Sequence, residues 1–260
     1  MKKFTVFIIS IFLLITPIVL FLKTKSDSQV LGDVTGAPPY GESLDEIPDL
    51  DPMARFRNWK RPEGPPRVGL QVGHWKSEEQ PEELAKLRDN TGSSGGGKWE
   101  WEVNYEIATI TKSFLEKNGV SVDLIPATVP PEYWADVFVA IHADGSLDPD
   151  SNGFKIASPW RDFSGKANQF VELLEESYEQ STHLNKDDNI TRNMRGYYAF
   201  SWWRYEHAVH PMTTSAIVET GFLTNKGDRK TIISNPQVSA RGLYQGIINY
   251  LNANALLASK

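Results

Sequence analysis

From Arg67 onward, short apolar runs alternate with longer stretches in which apolar residues recur every three or four positions. This alternation constrains the fold most, because the two periods belong to strands and to amphipathic helices. Residues 68–72, 120–125, 135–141, 153–157 and 214–218 read as strands. Residues 101–118 read as a helix with Val103, Ile107, Ile110 and Phe114 on one face, stopped by Asn118 and Gly119. Residues 164–178 and 237–251 read as two more, turning Phe170, Val171 and Leu174, then Val238, Leu243, Ile247 and Leu251, inward. Strands alternating with helices specify an α/β domain whose helices cover a largely parallel sheet. In such folds ligands bind outside the carboxyl ends of the strands.

The preceding residues have a different character. Lys2 and Lys3 lead into an apolar run at 4–22, interrupted only by Thr5, Ser10, Thr16 and Pro17. Its length suits a bilayer span of roughly 17–25 residues. Lys23, Thr24 and Lys25 follow, not the small residues of a cleavage site, so the run reads as an uncleaved membrane anchor. A processed signal segment and a buried helix are the alternatives. Lys2 and Lys3 favour an inside N-terminus, which puts the domain outside the cytoplasmic membrane, although Lys23 and Lys25 oppose them. Residues 26–65 are rich in proline, glycine and acids and read as a tether, with Phe56 and Trp59 placed to pack on the domain. The expected division is therefore an anchor or signal segment at 1–25, a tether at 26–65 and a folded domain at 66–260. The absence of cysteine excludes a disulfide framework and a thiolate nucleophile. A formal net charge of -6 argues against a nucleic-acid partner, which wants a basic stripe.

Three ionisable residues stand at or next to strand ends: His74, His142 and Glu219. Two histidines and one carboxylate make the ligand count of a catalytic zinc site, which leaves one position open. Glu100, Glu102 and Glu106 compete to be the carboxylate. Extending the apolar face of the 101–118 helix backwards brings Glu100 to the inward side and turns Glu102, and less strongly Glu106, outward. Glu100 is thus the expected ligand, and Glu102 a solvated acid suited to a helix N-terminus. Glu219, not bound to metal, is placed to act as a base. His183 reads as solvated, whereas His207 and His210 follow an aromatic-rich stretch and could reach substrate. Arg192 and Arg195 could bind a substrate carboxylate, and Trp75, Trp99 and Trp101 could form an aromatic wall.

Residues 68–74, Glu100 followed by 103–108, residues 139–144 and residues 217–225 resemble, in this order, the zinc-dependent N-acetylmuramoyl-L-alanine amidases of bacterial cell walls. The likeness spans roughly 67–252. It implies a three-layer α/β/α domain with a mixed sheet, Zn2+ as cofactor and peptidoglycan as substrate. The implied reaction cleaves the amide between the lactyl group of N-acetylmuramic acid and the L-alanine of the stem peptide. His74, Glu100 and His142 match the family's metal ligands, and Glu219 its catalytic glutamate. The chain departs from the family pattern where Gln71 and Val72 replace aspartate-proline, where Trp75 and Lys76 replace two glycines, and where Asp144 replaces a frequent asparagine. A zinc peptidase or deacylase of another substrate class and a non-catalytic wall-binding domain are the competing readings. The intact Glu219 argues against the latter.

Overall fold

Strands buried on both faces carry apolar runs, and the central strands here have them at 68–70, 137–141 and 216–218. β1 (Arg67–Val72), β4 (Ser121–Ile125), β5 (Val137–Asp144), β6 (Lys155–Ala157) and β7 (Thr214–Phe222) form one five-stranded sheet in the order β4-β1-β5-β7-β6. The first four run parallel, and β6 pairs antiparallel with β7. The sheet is therefore mixed, with its one antiparallel strand at an edge. β2 (Ser94–Gly95) and β3 (Lys98–Trp99) make a separate small hairpin. These features belong to a computed structural model, which describes residues 53–257.

Three long helices cover one face: α1 (Glu100–Glu116), α2 (Ala167–Thr182) and α5 (Pro236–Ala253). Val68, Leu70, Val139, Ile141, Ala216 and Val218 point into this layer and meet Val103, Ile107, Phe170, Leu174, Leu243 and Ile247. The alternate residues, Phe138, Ala140 and Ile217, face a second core with Leu84, Met194, Tyr198 and Phe200. Short helical turns and loops, including α3 (Arg192–Arg195), supply that second layer. The architecture is three-layered, with long helices on one side only. A last short helix, α4 (Lys226–Ile232), follows β7.

The strands run further than their apolar cores suggest. β5 continues through His142 to Asp144, and β7 through Glu219 to Phe222. His142 lies directly across from Glu219, while Asp144 pairs with Phe222. Ala143 on β5 thus faces two residues on β7, a bulge at Thr220 and Gly221 that re-aims the end of the strand. Gly221, with φ 153°, serves this bulge within the strand.

The end of the proline-rich stretch lies on the domain. The Phe56 ring packs edge-on against Trp202 and His210, and Trp59 packs against Trp134 and His210. Arg61 donates to both carboxylate oxygens of Asp136, which sits just before β5. The apolar run at 4–22 falls outside the described residues. Among the described residues no helix is long and apolar enough to cross a membrane.

Candidate active site

The carboxyl ends of β1 and β5 and the N-terminus of α1 meet at one point. His74 follows β1 with a left-handed backbone (φ 63°) and is almost fully buried. Its Nδ1 lies 2.8 Å from the Asn90 carbonyl oxygen, an acceptor that fixes the proton on Nδ1 and leaves Nε2 bare. Nε2 lies 3.4 Å from Glu100 Oε1. His142 reaches the same oxygen with Nδ1 at 3.0 Å.

Backbone donors hold the carboxylate itself. The Ser93 N–H donates to Glu100 Oε2 at 2.7 Å and the Ala143 N–H to Oε1 at 3.2 Å. As the first residue of α1, Glu100 also sits at the positive end of the helix dipole. Burial opposes its ionisation, yet the two histidines and the Ser93 N–H win and hold it down at about 2. Burial lowers His142, against the pull of Glu100, so its imidazole stays neutral. An ionised carboxylate beside neutral imidazole is the protonation state that binds zinc.

Two glycines let these groups approach. A Cβ on Gly73 would sit 2.6 Å from His142 Nε2, within the ring's own space. Gly92 (φ +71°) brings its loop so close that a Cβ there would collide with Glu100 Oε2 and stand 2.7 Å from His74 Cδ2.

The cluster fits a zinc ion. His74, Glu100 and His142 each offer a ligand atom, and these atoms lie within 4.8 Å of one another. The 3.4 and 3.0 Å separations from Glu100 Oε1 approach the edge of a tetrahedron, about 3.3 Å for bonds of about 2.0–2.1 Å. Nε2 of His74, the nitrogen that faces Glu100, is buried with no hydrogen-bond partner among the described residues, and so is the far ring nitrogen of His142. Buried nitrogens left that way are costly. Beside them a cavity of about 20 Å³, bordered by Tyr197, Tyr198 and Asn90, has room for a water.

Glu219 shares the sheet face of His142, one strand over, and its Oε2 also lacks a partner among the described residues. Burial, together with the charges of Asp144 and Glu100, pushes its carboxyl well up, and Lys155 pulls it back. Lys155 lies across from Glu219 on β6. Itself buried, it pairs with Asp144 at 2.5 Å and Asp187 at 3.3 Å. This ion pair accounts for the aspartate at position 144: on β5 it answers a lysine that β6 buries beside it.

The other residues singled out from the sequence scatter. Glu102 caps α1 by accepting the Trp99 N–H, and Glu106 pairs with Lys98. Trp75 packs on Tyr105, Trp101 is half-buried, and Trp99 stands half-exposed next to Glu100. His183 ends α2 in the exposed left-handed position. His207 pairs with Glu83, and His210 packs under Phe56 and Trp59 at the far end of the sheet. Arg192 opens α3, and Arg195 lies over the Trp160 ring and reaches the Ser158 carbonyl. Sequence reasoning missed Asn90, Gly92, Ser93 and Lys155. The Asn-Thr-Gly-Ser run at 90–93 signalled a turn, and nothing in it announced a carboxylate clamp.

The family model for N-acetylmuramoyl-L-alanine amidase matches residues 68–249. The chain belongs to this family. The amidase is also similar in fold to solved structures of low sequence identity. The catalytic domain of CwlV from Bacillus (Paenibacillus) polymyxa var. colistinus is 19% identical with a TM-score of 0.51, over 72% of this chain and 98% of that one. AmiC2 of Nostoc punctiforme is 20% identical with a TM-score of 0.52, over 74% and 99%. Apo Ami1 from Mycobacterium abscessus is 19% identical with a TM-score of 0.53, over 72% and 98%. No curated protein matches at a significant level. The amidase is a zinc-dependent hydrolase of the bond between N-acetylmuramic acid and L-alanine in peptidoglycan.

Proposed function

We propose that His74, Glu100 and His142 hold the zinc and that Glu219 is the base of this hydrolysis. The observation that carries the reading is the convergence of four buried side chains, three within ligand distance of one another and the fourth across from His142. Bound zinc polarises a carbonyl and lowers the pKa of its water toward about 7. The protein's own groups do the rest. Asn90 sets the His74 tautomer, and the Ser93 and Ala143 N–H groups hold Glu100 ionised. Glu219, with its proton affinity raised by burial, takes a proton from the attacking water and returns it to the departing L-alanine nitrogen. Lys155 limits the repulsion among Glu219, Asp144 and Glu100, so three buried carboxylates coexist.

Glu219→Gln tests the assignment. This variant should keep zinc stoichiometry and fold while losing turnover of a soluble muropeptide by about 10²-fold or more. Loss of zinc together with activity would make Glu219 a ligand; retained activity would leave the reaction without this base. We further propose that residues 4–22 anchor the chain and that 66–260 work outside the cytoplasmic membrane, joined by the tether. Protease added to wall-stripped cells should digest the domain, and protection would reverse the orientation.

A further inference from the structure

At the end of the domain where the chain enters, the aromatic rings carry cations. Arg55 lies 4.5 Å from the centre of the Phe56 ring and 5.3 Å from that of Trp202, and Arg161 lies 4.8 Å from that of Trp203. Phe163 packs edge-on against both tryptophans, so these pairs form one patch. Trp160, 49% exposed, extends it with Arg195 on its ring, and Arg204 adds a further exposed cation. The patch lies at the amino ends of the parallel strands. Trp202, Trp203 and Arg204 precede β7, and Trp160 and Arg161 follow β6, which runs the opposite way. His142 and Glu219 stand at the carboxyl ends. The run of β7 from Thr214 to Glu219 alone separates the two ends by roughly 17 Å, at about 3.3 Å per residue. The amidase reaction leaves this patch unused.

The chain as a whole has a formal net charge of -6, yet arginine outnumbers acid here. Glu132, 3.7 Å from Arg55, and Glu206 are the exposed acids of the patch. Asp162 turns inward and accepts the N–H groups of Ser164 and Ala167. Arginines laid on aromatic rings suit the boundary of an anionic bilayer. Tryptophan and tyrosine concentrate at such boundaries, where one end of the side chain is in apolar surroundings and the other is wet. A guanidinium stacked on a ring keeps its in-plane N–H edge for phosphate oxygens, while its stem covers apolar surface. A polyanion free in solution would use the charges and leave the exposed Trp160 ring in water. The path of the chain points the same way. The described residues begin at Met53, two positions before Arg55, and thirty residues, 23–52, separate them from the apolar run at 4–22.

We propose that this arginine-aromatic patch docks the domain on an anionic bilayer. Docking sets the orientation of the enzyme: the amino ends of the strands face lipid, and the carboxyl ends, with the metal cluster, face away from it. The proposal rests on the reading that residues 4–22 anchor the chain. A flexible chain of thirty residues spans about 30 Å, so an anchored domain meets the bilayer at an effective concentration on the order of millimolar. Contacts of about 1 kcal/mol per arginine are then enough to hold it.

The test uses the full chain, reconstituted into vesicles of phosphatidylglycerol and phosphatidylcholine whose acyl chains are brominated near the head group. Bromine quenches tryptophan fluorescence only at contact range. All eight tryptophans lie at position 59 or later, so quenching reports the domain and not the anchor. Wild type should be quenched in these vesicles, and much less in vesicles of phosphatidylcholine alone or in high salt. The exposed double variant Arg161→Gln/Arg204→Gln should lower the ratio of docked to free domain by about tenfold or more. Trp160→Phe should remove part of the wild-type quenching. Both variants should still float with the vesicles and cleave a soluble muropeptide at the wild-type rate. Flotation of wild type without quenching would overturn the docking and keep the anchor. Flotation at low salt that is lost in high salt would keep the docking and remove the anchor. Failure to float under either condition would overturn both. Undiminished quenching in the double variant would also overturn the proposal, because another face of the domain would then be the one on the lipid.

Discussion

Gly92→Ala separates the two things that the loop before α1 does. Gly92 has φ +71° and would aim a Cβ into Glu100 Oε2, with His74 Cδ2 at 2.7 Å. The backbone strain of a left-handed alanine costs about 1–2 kcal/mol. That strain acts with or without metal, so it lowers stability and leaves zinc affinity alone. The collision acts on the ligand. To clear it, either Glu100 or the loop must move, and the Ser93 N–H bond to Glu100 Oε2, 2.7 Å long, is lost. A hydrogen bond to a charged group contributes about 1.5–3 kcal/mol. At 1.4 kcal/mol per factor of ten, zinc affinity should fall about 10- to 150-fold. Gly97→Ala is the control, because Gly97 also has positive φ (+79°) but nothing lies within 4 Å of its Cβ direction. It should lose thermal stability and keep wild-type zinc affinity. Competition against a chromophoric chelator gives the Kd, and melting with and without zinc gives the strain. If Gly92→Ala binds zinc as tightly as Gly97→Ala does, the loop does not hold Glu100 in its ligating position.

The Lys155–Asp144 pair is buried, so removing one partner should cost far more than removing both. Lys155→Met should destabilise the fold by about 3–5 kcal/mol, and the double variant Lys155→Met/Asp144→Asn should recover most of that loss in denaturant unfolding. Equal destabilisation of the single and double variants would show that the pair is not the unit. Glu102→Ala removes a backbone cap and should cost about 1 kcal/mol of stability while zinc stoichiometry stays at one; loss of zinc in this variant would transfer the ligand role from Glu100.

Apolar content made the frame legible. β1, β5 and β7 are buried on both faces, so their runs stand out, and α1, α2 and α5 announce themselves by periodicity. The strand ends were read short because His142 and Glu219 are polar, and polarity usually ends a buried strand. Here both strands continue through them, His142 paired with Glu219 across the ladder, and the bulge follows. Helical phase alone brought Glu100 inward across Trp101, and the structure puts it at the first position of α1. The second layer was not legible, since turns such as 82–87, 192–195 and 198–200 are too short to show a period. Asn90, Ser93 and Ala143 act through backbone atoms, which no side-chain pattern encodes. Lys155 reads as an odd residue in a strand until β6 is seen beside β7, opposite Glu219 and next to Asp144.

Mass analysis of peptidoglycan digested by the purified chain asks directly whether the cluster cleaves the assigned bond. Digestion should release stem peptides with a free L-alanine N-terminus and leave glycan carrying intact lactyl groups. A chelator should abolish the release and added zinc should restore it. Cleavage at any other bond, or release that is unaffected by the chelator, would contradict a zinc-dependent N-acetylmuramoyl-L-alanine amidase built on His74, Glu100 and His142.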